Sequence, residues 1–365
     1  MRIGIDARFY GTKQRGIGRY VKKLVDGLVT DDKKNSFVIF LSADNFDDFK
    51  TDSPRVKKVL FNMPWYGWRE QLFGQRVIAR ENLDLMHWPH FNVPYFYRGP
   101  FVVTIHDLII NHFPDSRAST LPKWLYAIKL WFYKKIIAQA AKKAKKIIAP
   151  SEFVKNDLVK TFSLKPEKVK VIYESYFLSN QQQAVDISRF KITKPFLFYV
   201  GAAYPHKNLE QLLKVWPKIN SSKNYQLVLA GRIDYFYQQL KQAFAADASV
   251  IFTGFVADSE LAALYQSAIL YVFPSLYEGF GLPPVEAQAH GLAVVSANSS
   301  CLPEVLGQGA VYFDPSNESE MFNVINNALN DRHLRQQIIA NGLKNVQRFS
   351  WDKMIKETRA LYLSL

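Results

Sequence analysis

The chain has 365 residues, a length that favours two domains of roughly 150–200 residues over one. Apolar residues make up 48% and charged residues 22%, an ordinary globular composition that excludes a fibrous or disordered chain. The net charge of +15 indicates an anionic partner: nucleic acid, anionic lipid or a phosphorylated small molecule. The single cysteine, Cys301, excludes an internal disulfide and favours a reducing compartment.

The first half of the sequence alternates short apolar runs with helical spacing. Strand-like runs occur at 2–7, 37–41, 101–105 and 146–149. This alternation predicts a parallel α/β domain over residues 1–180. Its charged start, MRIGIDARFYG, is not typical of a signal peptide, and the sequence has no run of 18 apolar residues. We therefore expect neither a leader nor a membrane span.

Gly16 and Gly18 follow the first predicted strand, ahead of the helical run YVKKLVDGLV. The pair predicts a loop whose bare amides bind the β-phosphate, but a glycine pair by itself is more simply explained by a plain strand–helix turn. The full G-x-G-x-x-G spacing is absent, which excludes a nicotinamide or flavin site of that type.

The strand–helix alternation restarts in the second half. Its predicted strands are at 195–201, 225–231, 250–254, 269–275 and 293–297. They predict a second doubly wound domain over 195–350, after a polar, Gln-rich linker at 181–194. Ligands of such sheets bind at the carboxyl ends of the strands, which we expect to line a cleft between the domains.

The most informative stretch is PSLYEGFGLPPVEAQAHG at 274–291, where Glu278 and Glu286 stand eight residues apart. Two glycines and a proline pair lie between them. Glycine permits a left-handed backbone and proline opens a helix well, so the stretch predicts a tight loop at a helix N-terminus. Such a terminus favours anions. The alternative is a solvated loop glutamate followed by a helix-capping one.

This stretch resembles the E-x7-E signature of glycosyltransferase family 4, also called group 1. Further segments resemble that family in order along the chain: RIGIDARFYGTKQRGIGRYV, VVTIHDLI, IIAPSEFVKNDL, YVGAAYPHKNL, LPEVLGQGAVYFDP and FSWDKM. The resemblance implies the GT-B architecture: two Rossmann-like doubly wound domains facing a cleft, with a C-terminal helix at 351–365 packing back on the first. It also implies retaining transfer of a mannose- or glucose-type hexose from a nucleoside diphosphate sugar to a glycan or lipid-linked acceptor.

The resemblance assigns roles in the second domain. Glu286 would accept hydrogen bonds from the donor ribose, and Glu278 would lie near the donor sugar. Amides around Phe280, Gly281 and Leu282 would hold sugar hydroxyls or phosphate. We expect Lys207, at the start of a helix, to neutralise the departing diphosphate.

One family feature is missing in this domain. Many members carry an arginine before the lysine, where this chain has Ala202 and Ala203. Candidates to replace that arginine are His206, Arg232 and Arg15. The loops near Arg232 and Phe255 are expected to enclose the nucleobase.

In the first domain, His106 matches a family position that contacts the donor hexose, and it would donate to the C6 hydroxyl. Asp107 would orient His106 or stabilise developing positive charge. His90 and Asn92 are weaker candidates for the acceptor side. Each histidine also has the alternative of a satisfied structural residue.

We expect no cofactor and no metal, because the sequence has neither a D-x-D triplet nor a cluster with metal-ligand spacing. GDP-linked and UDP-linked donors both remain open, with GDP-mannose favoured. Two alternatives to a transferase are a catalytically silent nucleotide-sugar binder and a GT-B-type sugar epimerase.

The positive charge concentrates at 117–146, where nine basic residues and five aromatics occur without an acidic residue. This pattern predicts a peripheral protein on the anionic inner face of a membrane, in the cytoplasm, rather than a nucleic-acid binder. The alternative is ordinary packing beneath a solvated lysine face, because the aromatics fall all round a helical axis.

Overall fold

The computed structural model describes residues 1–11, 15–32, 34–114, 122–178, 185–222 and 224–365. The chain divides into two compact units. Unit 1 comprises Met1–Glu174 together with Ser350–Leu365, and unit 2 comprises Ser175–Phe349. The part of the predicted linker at 181–184 lies outside the described residues, and the remainder belongs to unit 2.

Unit 1 is built on a seven-stranded parallel sheet in the order β3-β2-β1-β4-β5-β6-β7. The strands are β1 Arg2–Asp6, β2 Ser36–Leu41, β3 Val56–Leu60, β4 Leu85–Trp88, β5 Phe101–Thr104, β6 Lys146–Ala149 and β7 Val169–Val171. The helices are α1 Arg15–Asp31, α2 Trp68–Ala79, α3 Ile109–His112, α4 Lys123–Lys143 and α5 Glu152–Phe162.

Alternation along the strands of unit 1 fills a core on each face of the sheet. In β2, Val38 and Phe40 join one core, while Phe37, Ile39 and Leu41 join the other. Helices α2, α4 and α5 cover the first face, and α1 covers the second. Burial on both faces explains why these strands are apolar almost throughout.

The C-terminal helix α13, Trp351–Leu363, belongs to unit 1 and packs on α1. Gly27 permits this close approach, because a Cβ there would lie 1.9 Å from Ile355 Cδ1. Farther along α13, the Tyr362 hydroxyl and His87 Nδ1 lie 2.5 Å apart, and His87 Nε2 lies 2.9 Å from Thr104 Oγ1. The predicted return of the C-terminal helix to the first domain is therefore confirmed.

Unit 2 carries a six-stranded parallel sheet in the order β10-β9-β8-β11-β12-β13. Its strands are β8 Phe196–Val200, β9 Gln226–Ala230, β10 Val250–Gly254, β11 Leu270–Phe273, β12 Val294–Ala297 and β13 Ala310–Phe313. Its helices are α6 Leu209–Ile219, α7 Tyr235–Ala243, α8 Asp258–Ser267, α9 Leu282–Ala289, α10 Leu302–Leu306, α11 Glu318–Asn330 and α12 Arg332–Asn345. Both sheets reverse their strand order once, as doubly wound domains do.

Candidate functional site

The reversal of strand order in unit 2 falls between β8 and β11, and a buried ion pair lies there. Lys207 follows β8, Glu278 follows β11, and Lys207 Nζ donates to Glu278 Oε1 over 2.6 Å. Crevices at such a switch point are the usual ligand sites of open α/β sheets. Lys207 does not begin a helix as expected: it ends a 3-10 turn, and the left-handed Asn208 separates it from α6.

The loop before α9 is held by its neighbours. Glu278 N donates to Ser300 Oγ over 2.9 Å. Gly281 adopts φ +84° at the N-cap of α9, so the expected left-handed glycine is present at that position. Phe280 is buried edge-to-face against Phe349, at 5.2 Å between ring centroids. Leu282 opens α9. Pro283 and Pro284 have no N–H and Val285 N donates to Gly281 O, so Leu282 is the one residue in the first turn of α9 whose amide is suited to an anion.

Glu286 lies in α9 and is buried, and the Tyr265 hydroxyl of α8 donates to its Oε2 over 3.3 Å. A carboxylate can accept several hydrogen bonds, so Glu286 is chemically suited to ligand hydroxyls. Its predicted contact with the donor ribose stays a prediction.

Arg232 and Phe255 follow the carboxyl ends of the paired strands β9 and β10. Both side chains are exposed. Of the candidates for the missing arginine, His206 is buried, and burial together with Lys207 lowers its pKa to about 3. A neutral imidazole does not neutralise a diphosphate, so His206 is a poor replacement. The Arg15 side chain lies outside the described part of the structure, so Arg15 and Arg232 both stay candidates for the missing arginine.

Gly16 and Gly18 occupy the first turn of α1, which begins at Arg15, rather than a loop. The first four N–H groups of a helix have no intrahelical acceptor, so phosphate binding by these amides stays a prediction in this different geometry. The residues at 12–14 lie outside the described range.

His106, after β5, has protein partners at both ring nitrogens. Its Nδ1 lies 2.8 Å from Glu174 Oε1 and its Nε2 lies 2.9 Å from the Pro89 carbonyl oxygen. Both partners are acceptors, and this geometry favours the protonated ring, which donates at both nitrogens. Burial opposes that charge, but the hydrogen bond and charge of Glu174 outweigh it and raise the pKa of His106. The expected bond to a sugar C6 hydroxyl requires one of these contacts to be exchanged.

We expect the His106–Glu174 contact to stabilise unit 1 most strongly at mildly acidic pH. Because the folded-state pKa of His106 is raised, its contribution is complete below the ordinary histidine pKa of about 6.5 and is lost as pH rises through the raised value. The stability difference between the native chain and Glu174→Gln should therefore be larger at pH 5.5, about a unit below the ordinary histidine pKa, than at pH 8.5. Urea unfolding at each pH measures the difference in unfolding free energy. A difference that does not change with pH would contradict a stabilising charge on His106.

The His106 ring lies within hydrogen-bond distance of Glu174 and Pro89, and the Asp107 charge adds to the effects that raise the pKa of His106, so the expected role of Asp107 stays a prediction. Asp107 Oδ1 accepts from Ile109 N over 3.0 Å, at the start of α3. Glu174 is thus a site residue that sequence reasoning missed.

His90 and Asn92 follow β4, next to β1. Asn92 is buried, and its Nδ2 donates to Glu70 Oε2 over 2.7 Å. Glu70 also accepts from Arg8, which forks onto Asp6 with distances of 2.7 and 2.8 Å. No sequence pattern marked this buried charge cluster. Within the described residues, no group of three or more His, Cys, Asp or Glu side chains is arranged to hold a metal.

Two family models match the chain in tandem: "Glycosyltransferase Family 4" over residues 14–175 and "Glycosyl transferases group 1" over residues 180–345. The O-antigen chain mannosyltransferase RfbU of Salmonella typhimurium is 30% identical over 269 residues, which are 72% of this chain and 70% of that protein. The O-antigen chain mannosyltransferase B of Escherichia coli is 27% identical over 95% of each chain.

Solved structures with low sequence identity share the whole fold. Sucrose-phosphate synthase from Thermosynechococcus elongatus superposes with a TM-score of 0.73 at 18% identity, over 100% of this chain and 98% of that one. Anabaena HepE in complex with UDP-glucose gives 0.72 at 18% identity, over 100% and 99%. These likenesses establish the GT-B fold. With the tandem family matches and the RfbU relative, they show that the chain belongs to the group 1, family 4 glycosyltransferases.

Proposed function

We propose that the chain is a retaining, metal-independent hexosyltransferase that uses a nucleoside diphosphate sugar, with GDP-mannose favoured over UDP-glucose. The observation that carries the proposal is the Lys207–Glu278 pair at the switch point of unit 2, beside the N-terminus of α9. Lys207 supplies positive potential that a departing diphosphate needs, and the Leu282 amide at the start of α9 adds to it. The mannosyltransferase relatives favour mannose, and the UDP-glucose complex of HepE keeps glucose open.

In the proposed reaction, the bond from the anomeric carbon to the β-phosphate oxygen breaks, and the acceptor oxygen bonds to that carbon on the same face. The acceptor proton passes to the departing phosphate oxygen. Lys207 stabilises the charge that develops on the diphosphate. Glu278, held by Lys207 and Ser300, accepts hydrogen bonds from sugar hydroxyls.

Product analysis tests this proposal. The protein is incubated with GDP-mannose or UDP-glucose and octyl α-D-mannopyranoside, with EDTA present, and the product is examined by proton NMR. An α-linked disaccharide is expected. A β linkage would contradict retention, and loss of activity on chelation would contradict metal independence. Isomerised sugar without transfer would favour the epimerase alternative, and nucleotide binding without any turnover would favour a silent binder.

We further propose that the acceptor is presented on an anionic membrane to which the first half of α4 binds. This segment exposes Trp124, Trp131 and Phe132 by 65%, 56% and 54%, in addition to Leu125 and Ile128. Packing therefore does not account for most of its aromatics, although Tyr133 does pack on Phe91. Residues 115–121, which include Arg117, lie outside the described part.

The positive charge around this surface favours an anionic lipid membrane as its binding partner. Exposed apolar patches of this kind mark interaction sites, and lysines beside interfacial aromatics suit anionic headgroups. Among the described helices, none is long and apolar enough to cross a membrane. We therefore propose a peripheral association at the cytoplasmic face.

We expect the protein to sediment with phosphatidylglycerol-containing vesicles at low salt and to be released at high salt, where charges are screened. Replacing Trp124 and Trp131 by serine should weaken partitioning about tenfold or more, because two aromatic faces no longer insert. Tyr235→Ser, an exposed aromatic of unit 2, is the matched control and should bind normally. Absence of binding to anionic vesicles at low salt would contradict the proposed membrane association. A DNA gel shift tests the nucleic-acid alternative.

A further inference from the structure

An aromatic cluster lies where the strand order of unit 1 reverses, between β1 and β4. Phe9 follows β1 and His90 follows β4. The Phe9 and Trp65 rings stack with centroids 4.2 Å apart, and the His90 ring lies 5.2 Å from that of Phe9. Tyr66 and Phe91 complete the cluster around His90. Phe9, Trp65 and His90 are partly exposed, so the cluster reaches the surface at the usual ligand position of such a sheet.

Three buried polar atoms in and beside this cluster have no hydrogen-bond partner among the described residues. They are Trp65 Nε1, His90 Nδ1 and Asn92 Oδ1. Asn92 is 2% exposed and its Nδ2 is fixed on Glu70, so its oxygen is held in place. Unsatisfied buried polar atoms are costly and call for a missing partner. An unpaired indole donor and an unpaired amide acceptor both match hydroxyl groups, which donate and accept.

The electrostatics of the cluster disfavour an anion. Arg8, the arginine beside it, is occupied by Asp6 and Glu70. This triad carries one more negative than positive formal charge. Burial, with smaller effects of His106 and Arg8, lowers the pKa of His90 to about 3, so its ring is neutral. The ligand that fits combines an apolar face with uncharged hydroxyls.

We propose that the aromatic cluster binds an uncharged pyranose ring of the acceptor. The outer face of the Phe9–Trp65 stack receives the C–H face of the sugar, and sugar hydroxyls engage Trp65 Nε1, His90 Nδ1 and Asn92 Oδ1. The assignment of this ring to the acceptor rests on the proposed hexosyltransferase function. It places the acceptor's sugar here and its phosphate or lipid elsewhere.

Indole NMR signals of the full-length protein provide the direct test. Methyl α-D-mannopyranoside and methyl α-D-glucopyranoside are titrated to about 100 mM, well above the dissociation constant of a millimolar site. The Trp65 signal, identified by its loss in Trp65→Phe, should shift saturably with at least one of them, while the Trp68 signal stays in place. Mannose 6-phosphate should bind no more tightly. A Trp65 signal that moves with neither glycoside, or tenfold tighter binding of the phosphate, would overturn the proposal.

A kinetic arm separates this inference from the function on which it rests. Trp65→Ala should raise KM for octyl α-D-mannopyranoside at least tenfold and leave nucleotide-induced thermal stabilisation unchanged. Trp68→Ala, an exposed tryptophan three residues away, should alter neither. Unchanged KM in Trp65→Ala would contradict the cluster as the acceptor site. Absence of nucleotide stabilisation in the native chain would contradict the proposed function instead, and the indole titration would still report on sugar binding.

Discussion

Replacing Lys207 by methionine should lower kcat for hexose transfer about 10²- to 10³-fold, the loss typical of one preorganised group that stabilises charge in the transition state. Lys207 Nζ is fixed 2.6 Å from Glu278 Oε1 at the switch point of unit 2. Glu278→Gln should give a comparable loss, because the pair acts as a unit. The double variant should therefore lose far less than the product of the two single effects.

Lys214→Ala is the matched control, since Lys214 is exposed on α6 and should retain full activity. Initial rates of nucleoside diphosphate release and of product formation measure the effect, with circular dichroism to confirm folding. Full multiplicativity of the two single variants would contradict the pair's joint role.

The largest effect on stability is expected at Arg8. This guanidinium is fully buried and forks onto Asp6 while it also donates to Glu70. Arg8→Met leaves both carboxylates buried without a counter-ion and should cost about 3–5 kcal/mol of unfolding free energy. Urea unfolding measures this loss.

The comparison that isolates burial is Arg2→Met. Arg2 also pairs with a carboxylate, Glu81, but is more exposed, so its loss should cost about 1 kcal/mol or less. Adding Asp6→Asn and Glu70→Gln to Arg8→Met should recover part of the stability, because these changes remove the two buried negative charges that lack a counter-ion. An Arg8 variant as stable as the Arg2 variant would contradict a buried triad.

The strongest strands and the two-sheet architecture follow from sequence because apolar runs alternate with helical spacing. Strands β3, β4, β7 and β13 were missed. β7 has only three residues. β4 contains His87 and Trp88, and what keeps His87 in the core is contact with Tyr362, 275 residues away. No local pattern contains that information.

The residues of the candidate site were also predicted only in part. Glu278, Gly281 and Glu286 could be predicted as candidate site residues because one short sequence signature contains all three. Glu174 was missed because its partner His106 lies 68 residues earlier, and a carboxylate on a loop otherwise suggests a solvated charge. The helical setting of Gly16 and Gly18 was missed because glycine disfavours a helix interior, whereas the first helical turn tolerates it.

Thermal unfolding with a panel of nucleoside diphosphates and nucleotide sugars, with and without EDTA, tests the central claim most directly. A ligand that binds only the folded chain raises the melting temperature by mass action. We predict an EDTA-insensitive rise that is selective for one base, GDP or UDP, and is weakened in Glu286→Ala. No rise with any nucleotide, or an equal rise in Glu286→Ala, would contradict the donor site proposed for unit 2.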